Sequence, residues 1–412
     1  MHLIEFWILN PNGTIRCPLP EVETRTITPV RNDAGAIQFT YPEDGVNWAV
    51  LHETVTLDRD CVLQIRINGQ IQPRLQAVIT DTQGDDVTEG RTWTYTGYLA
   101  NGRLNEAVVK PKSGMPAQGN DSTIEQDGHY YSATMGTIVS TLMVEAGVRG
   151  ALAGVTYNSF TGTHDSNGVA WSKIITLKLT PGTTYLKVLQ ALVEAGMGEF
   201  EMVGTDLRCY QPDTLGTDRT LTNPPLILRR GRTIKDSPRK HTVRGTATAA
   251  LIAGGNGIYQ WVTDADAQTR RGRRIESSAS QGSITDAGTL TAYAQHYLTT
   301  VVTGHMEKTH GLHTSGPVPI LNFDVHDWVY SDLGDTPLER LRIAQWTWTE
   351  DADGTQSVTV TLNDLFATKL EAQAKRLEGI AGGTTISGTS NARQIPDEYI
   401  DGVAPHPPPR LP

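Results

Sequence analysis

From Leu63 to Asn68 apolar and polar residues alternate strictly, with Leu63, Ile65 and Ile67 set against Gln64, Arg66 and Asn68. A period of two puts one set of side chains on each face of a strand, so this pattern predicts a half-buried β-strand. Asn68-Gly69 follows, two residues that tolerate the positive φ a tight hairpin turn demands. The next stretch carries Leu75, Ala77 and Ile79 on one face. After a polar turn around Gln83–Gly90 comes RTWTYTGYL, in which Trp93 and Tyr95 stand between threonines. Three or four antiparallel strands sharing one apolar face predict a small barrel or sandwich over the unit from about Val22 to Val109.

The periodicity then changes. Pro111–Gly128 reads as a polar loop, and Met135, Ile138, Val139, Leu142 and Ala146 fall on one face of a helix that Gly147 is expected to end. A second helix carries Tyr185, Leu186, Leu189, Leu192 and Val193 and stops at Gly196. Both helices close on Glu-Ala-Gly, which predicts a left-handed glycine cap for each. EFEMVGTDLRCY reads as a hairpin, completing an α+β module.

From Leu226 to His310 strands return, with one more helix marked by Leu290, Tyr293, Ala294, Tyr297, Leu298 and Val301. A second β unit spans Phe323–Leu362, where Trp346 and Trp348 alternate with threonines. Asp351–Gly354 turns the chain, and Val358, Val360 and Leu362 alternate with Thr359 and Thr361. A last helix is expected from Asn363, a good N-cap, to about Leu377. Beyond Gly379 the chain reads AGGTTISGTSNA and finally APHPPPRLP, flexible and polyproline-like material that cannot pack a core.

The predicted fold is mainly β with α+β insertions. It holds two small β-barrels of similar topology and a flexible C-terminal tail. The first barrel takes residues 1–110 and the α+β insertion 111–215. The second barrel takes 216–245 and 315–365 around an inserted α+β segment, 246–314. The terminal helix takes 366–379 and the tether 380–412. The pairing of barrels comes from a likeness between DCVLQIRI…RLQAVIT…RTWTYTGYL, starting at Asp60, and DWVYSDL…RLRIAQWTW…SVTVTLNDL, starting at Asp327. Each gives an Asp-x-Val strand, an Arg-Leu strand, a polar turn and a Thr-alternating strand. Those residues alone fit either a duplication or the ordinary likeness of amphipathic strands.

Composition narrows the function. At 412 residues about two to four domains are expected. A net charge of −10 argues against a chain built mainly to grip nucleic acid, and would suit a conduit past which DNA slides. Cys17, Cys61 and Cys209 are widely spaced and odd in number, so free thiols formed in a reducing cytosol are expected. The N-terminus MHLIEFWILNPNG lacks a basic n-region, and no apolar run approaches the ~18 residues of a membrane span. The expectation is a soluble chain without an export address.

Candidate chemistry is thin. No G-x-S-x-G, H-E-x-x-H, C-x-x-C or Walker loop occurs, and AGGNG at Ala253–Gly257 lacks the lysine of a phosphate cradle and reads as a turn. His296, His305, His310, His313 and His326 gather in sequence, but no carboxylate or cysteine supports His310-x-x-His313 at zinc spacing. His164-Asp165-x-Asn167-Gly168 lacks the alternating acids and closing glutamate of a calcium loop. Asp264/Asp266 and Asp332/Asp335 read as acids flanking turns rather than a glycosidase pair. No catalytic residue, metal site or cofactor is expected. The one anomaly is basic: Arg229, Arg230, Arg232, Lys235, Arg239, Lys240, Arg244, Arg270, Arg271, Arg273 and Arg274 stand among only three acids. Either this segment meets an acidic partner or a neighbouring copy, or its arginines are simply solvated. The aromatic interleaving of single-strand binders is thin.

The order of parts resembles the tail hub, or baseplate hub, family of bacteriophages, in particular minor tail proteins of siphophages that infect actinobacteria. The likeness covers roughly residues 1–380. It rests on the first barrel, a helix like TTYLKVLQALVEAG with its hairpin, the basic strands, a helix like AGTLTAYAQHYLTTVV, and a second barrel ending in SVTVTLNDL. The resemblance implies a non-enzymatic homotrimer at the tail tip of the virion, made in the host cytoplasm. Such a ring closes the tail tube, and its two barrels per chain face a sixfold neighbour. Implied partners are the distal tail ring protein, the tape measure protein and a central fibre or receptor-binding protein, with DNA only in passage during genome ejection. Arg229, Arg230, Arg232, Arg270, Arg271, Arg273 and Arg274 are the candidate interface, and Gln394, Ile395, Pro396 and Tyr399 the candidate distal tether. A tail-tip cell-wall-degrading enzyme or a receptor-binding module is the rival expectation.

Overall fold

The structure, a computed structural model, describes residues 2–10, 13–56, 61–84, 91–110, 128–179, 181–242, 246–282, 284–302, 305–334 and 338–362. The expected terminal helix and tether lie outside the described residues.

The chain opens with β1 (Ile4–Leu9), β2 (Ile15–Leu19), β3 (Thr24–Thr28), β4 (Ala36–Pro42) and a helix α1 (Trp48–Thr56) that the periodicity did not announce. β5 (Cys61–Ile67), β6 (Gln70–Ile71), β7 (Ala77–Gly84) and β8 (Thr92–Leu99) complete this run. In β5 every second residue, from Cys61 to Ile67, is fully buried, as the alternation predicts. Asn68 and Gly69 both take positive φ in the turn to β6. Phe6, Phe39 and Tyr95 meet across the strands, with ring centroids 5.3 and 5.2 Å apart.

The α+β module comprises β9 (Gly128–Ala133), α2 (Met135–Val148), β10 (Ile175–Leu179), α3 (Tyr185–Glu194), β11 (Glu199–Val203) and β12 (Asp206–Tyr210). Thr134 and Thr184 cap the two helices, each accepting a backbone N–H three residues on. Gly196 has positive φ just past α3, but Gly147 lies inside α2, which runs one residue further and leaves the left-handed turn to Gly150. The Glu-Ala-Gly motif therefore marks a helix stop in one case only; the buried face of α2 ends at Ala146, and the helix closes on exposed Val148.

The return segment brings β13 (Ile227–Arg229), β14 (Ile234–Asp236) and β15 (Arg239–Thr242). An inserted unit follows: β16 (Ala249–Gly254), β17 (Tyr259–Thr263), α4 (Ala265–Arg271), β18 (Glu276–Gln281) and α5 (Ala287–Val302). Its three strands form their own sheet, on which Leu290, Tyr293, Ala294 and Leu298 of α5 bury a small core. The last strands are β19 (His305–Leu312), β20 (Trp328–Asp332), β21 (Glu339–Glu350) and β22 (Gln356–Leu362). β19 pairs with β22 and with β14 and β15, so it belongs to the large sheet and not to the inserted segment expected to reach residue 314.

The first and last runs repeat one strand order. The first is β3-β4-β8-β7-β5, and the last is β15-β19-β22-β21-β20, antiparallel at every step. Each has a bulge at the same place, between Ile79 and Asp81 against β8 and between Ile343 and Gln345 against β22. With the bulges aligned, the column Phe39–Tyr95–Thr82 answers to His310–Val360–Trp346. Likewise Cys61–Ile79–Gly97–Ile37 answers to Asp327–Ile343–Leu362–Lys308. Pairing by sequence strings had set Asp60 against Asp327 and Arg74 against Arg340; the ladders move these by one and two residues. The runs diverge at one end, where β5 pairs with β1 antiparallel and β20 pairs with β13 in parallel. Hydrogen bonds link both runs into a 15-stranded sheet through β3 and β21, over one shared core that includes Phe6, Phe39, Tyr95, Phe323, Trp346 and Trp348.

Candidate assembly interface

The seam between the runs is built from β3 and the second half of β21. Ile27, Thr26 and Arg25 pair with Trp348, Thr349 and Glu350. Val30 bridges to Gln345, and the Arg31 N–H donates to the Ala344 carbonyl at 2.9 Å. Side-chain contacts cross it as well: Arg25 reaches Glu350 at 3.4 Å, and Thr28 Oγ1 donates to Thr347 Oγ1 at 3.2 Å. Arg25 is buried because it also donates to the carbonyls of Ile4 and Val22. Burial pulls its pKa below the usual arginine range, and Glu350 opposes this.

A buried polar junction ties the α+β module to both runs. Arg342 donates to Glu199 with both terminal nitrogens, at 2.8 and 2.7 Å, while also reaching Asp213 and the Leu215 carbonyl. Its Nε donates to the His326 carbonyl at 2.8 Å, holding a histidine whose φ is +74°. Gly216, itself at φ +91°, lets the chain pass that carbonyl; a Cβ there would lie 2.5 Å from it. Burial opposes ionisation of Glu199, but His326 and Arg342 outweigh it and hold the carboxyl down at about 2. Arg342 supplies the contacts, since His326 Nδ1 stays 3.7 Å away and burial pushes the histidine below its ordinary range, toward neutral.

On the other side Arg74 bridges Glu201 at 2.9 Å and Asp324 at 3.2 Å. Asp324 also accepts from Trp346 Nε1 at 3.0 Å, and Tyr210 donates to Glu201 at 2.9 Å. Asn32 and Asn101 accept the backbone N–H groups of Phe200 and Met202, so strand β11 is stitched to the first run directly. Of these residues only His326 and Trp346 were singled out in the sequence, and neither for this junction. Glu199 and Glu201 alternate with Phe200 and Met202, which reads as a polar face, yet β11 is buried on both sides.

The basic residues divide between two places. Arg229, Arg230 and Arg232 sit at the turn from β13 to β14, exposed, with Arg229 Nε 2.8 Å from Asp332. Arg270, Arg271, Arg273 and Arg274 lie at and just past the C-terminal end of α4 in the inserted unit. Arg274 pairs with Glu276 at 2.8 Å and covers the Trp261 ring at 4.8 Å. One sequence run thus serves two separate sheets. Gln394, Ile395, Pro396 and Tyr399 lie outside the described residues.

The remaining candidates have structural partners. His310 is buried between Ser237 Oγ at 2.9 Å and Ser331 Oγ at 3.0 Å. Asp165 accepts from the N–H groups of Asn167, Val169 and Gln211, which closes the 164–168 turn. Asp264 caps α4, and Asn256 of the AGGNG turn takes φ +55°. Among the described residues no group of three or more His, Cys, Asp or Glu side chains is placed to hold a metal. Cys17, Cys61 and Cys209 are free thiols, and burial pushes Cys61 up to about 12. Among the described residues no helix is long and apolar enough to cross a membrane.

No protein-family model matches the chain, and no curated protein matches its sequence. Solved structures do match its fold. A 43 kDa tail protein of prophage MuSo2 from Shewanella oneidensis is 14% identical with a TM-score of 0.59, over 88% of this chain and 98% of that one. A tail protein from Neisseria meningitidis is 12% identical with a TM-score of 0.57, over 88% and 96%. A prophage tail protein from Listeria monocytogenes is 12% identical with a TM-score of 0.56, over 91% and 100%. At these identities the likeness is one of architecture, and by that measure the chain has the fold of phage tail proteins.

Proposed function

We propose that this chain is a structural tail-tip hub of a long-tailed bacteriophage, a homotrimeric ring that closes the tail tube and carries distal fibre or receptor-binding proteins. The observation that carries the reading is the strand order repeated in the first and last runs, with its bulge in the same place. A threefold ring meeting a sixfold tube must present six similar surfaces, and two like β units per chain supply them. Each run then forms one small barrel of the ring, and the α+β module, locked to both by Arg342 and Arg74, keeps the two in a fixed relation. The role is mechanical, in the virion. The partners are the distal ring and tape measure proteins on one side and the fibre on the other, with the tail from Gly382 to Pro412 as the tether.

A receptor-binding role would centre on Tyr259 and Trp261, large exposed aromatics on β17, but Arg274 already covers one of the rings. The deciding experiment is electron cryomicroscopy of assembled tail tips. Three copies with both runs at one height along the axis are expected. Two or six copies, or runs at different heights, would overturn the hub.

A further inference from the structure

We propose that copies of the chain join edge to edge, β7 of one copy adding to the β14–β15 edge of the next, by the pairing that joins β21 to β3 within a chain. This rests on the ring reading above and assigns its inter-copy contact.

The argument follows from the aligned columns. Pairing through β4 and β19 sets residues 24–28 of β3 against residues 236–240. Pairing through β8 and β22 sets Asp81–Gly84 of β7 against Gln345–Trp348 of β21. Within the chain, the edge of β21 beyond β20 is taken by Val30 and β3. The matching edge of β7, beyond its short pairing with β5 at Ala77–Ile79, meets no strand among the described residues. The outer edge of β15 also meets none among the described residues, and on β14 only Ile234 is bridged, by Arg230, whereas the counterpart β3 is covered by β21.

Each chain therefore uses the contact once internally and leaves one copy of each half over. Open strand edges are templates for further pairing, and two unlike halves on one molecule make a head-to-tail contact. If the outer step repeats the inner one, three chains give six like steps and the ring closes. The register carries over residue by residue. Thr347 beside Thr28 becomes Gln83 beside Lys240 of the next copy, and Trp348 opposite Ile27 becomes Gly84 opposite Arg239. Charge leans the same way: exposed Asp81 lies on the β7 edge, and along the other Lys235, Arg239 and Lys240 outnumber the single acid Asp236. This accounts for the centre of the basic segment.

The test is cysteine cross-linking in the full chain. Paired strand positions lie within the Cα separation a disulfide spans. Under mild oxidation Gln83→Cys/Lys240→Cys should run as a covalent trimer on a non-reducing denaturing gel, and each single variant as a monomer. Thr28→Cys/Thr347→Cys should cross-link within one chain, showing that the fold and the seam survive. Light scattering on the same samples separates the outcomes. A trimer in solution without the inter-copy cross-link overturns this contact and leaves the hub reading intact. Cross-linked species running past three copies overturn ring closure. A chain that stays monomeric and uncross-linked, alone and with tail-tip extract, overturns both.

Discussion

Arg342 and Glu199, 143 residues apart, meet as a two-point ion pair with both side chains almost fully buried. Arg342 comes from β21 of the large sheet and Glu199 from β11 of the α+β module, so one pair fastens two parts of the chain. Removing one partner leaves a buried charge without compensation, which typically costs about 3–5 kcal/mol. Arg342→Met should lower unfolding free energy by about that amount in urea titration. Adding Glu199→Gln should recover part of the loss, a coupling that a double-mutant cycle would read. Additive effects of the two changes would show that the pair does not act as a unit.

The same carboxyl sets an acid limit. Glu199 titrates at about 2 in the folded chain against 4.5 when free, so the unfolded state binds its proton first as pH falls. The stability it contributes is complete above about pH 4.5, and is lost as the pH drops towards 2. Linkage caps that contribution at about 3 kcal/mol, and a neutral His326 leaves only the share that Arg342 supplies. The urea midpoint measured from pH 6 to pH 2 should fall steeply for the natural chain and more gently for Glu199→Gln.

Gly97 faces the bulge of the first run, where an added Cβ would stand 2.0 Å from the Val78 carbonyl oxygen and 2.8 Å from the Ile79 Cα. The nearest atoms are all backbone of β7, so no flexible side chain can give way. Gly97→Ala should cost at least about 2 kcal/mol, in the range of overpacked cores. A thermal midpoint unchanged from the natural chain would show that the bulge can relax. The same column of the second run holds Leu362, so the glycine answers to local approach and not to the topology.

Thr134 and Asp264 each cap a helix through a side-chain oxygen. Thr134→Ala should cost about 1 kcal/mol. Asp264→Ala should cost a similar amount but act only on the inserted unit, so hydrogen exchange should rise in α4 first. Uniform loss of protection would argue that this unit does not open alone.

On the hub reading Gly382–Pro412 is the tether, a stretch whose sequence is poor in apolar residues, and it can be deleted. Rings should still form, and the distal fibre should be lost from purified tail tips. Failure of the shortened chain to fold would show that the segment is part of the packed body.

The sequence by itself determined the local elements. Alternation from Leu63 to Ile67 is a strand signal because side-chain direction in a strand depends only on the chain's own period, and Asn68-Gly69 turns because both residues accept positive φ. The helical stripes of α3 and α5 were legible for the same reason, while α1, short and flanked by strands, was not. Only the tertiary structure decided what covers each face and which strands are neighbours. Glu199 and Arg342 occupy strand positions that look solvent-facing, and they are buried because a distant element supplies the opposite charge. The membership of β19, the one- and two-residue slips between the runs and the seam of β3 with β21 all depend on which strands pair, and the seam joins residues 319 apart. Strand pairing is a non-local hydrogen-bond choice, and period two, which tells one face from the other, carries no record of the partner.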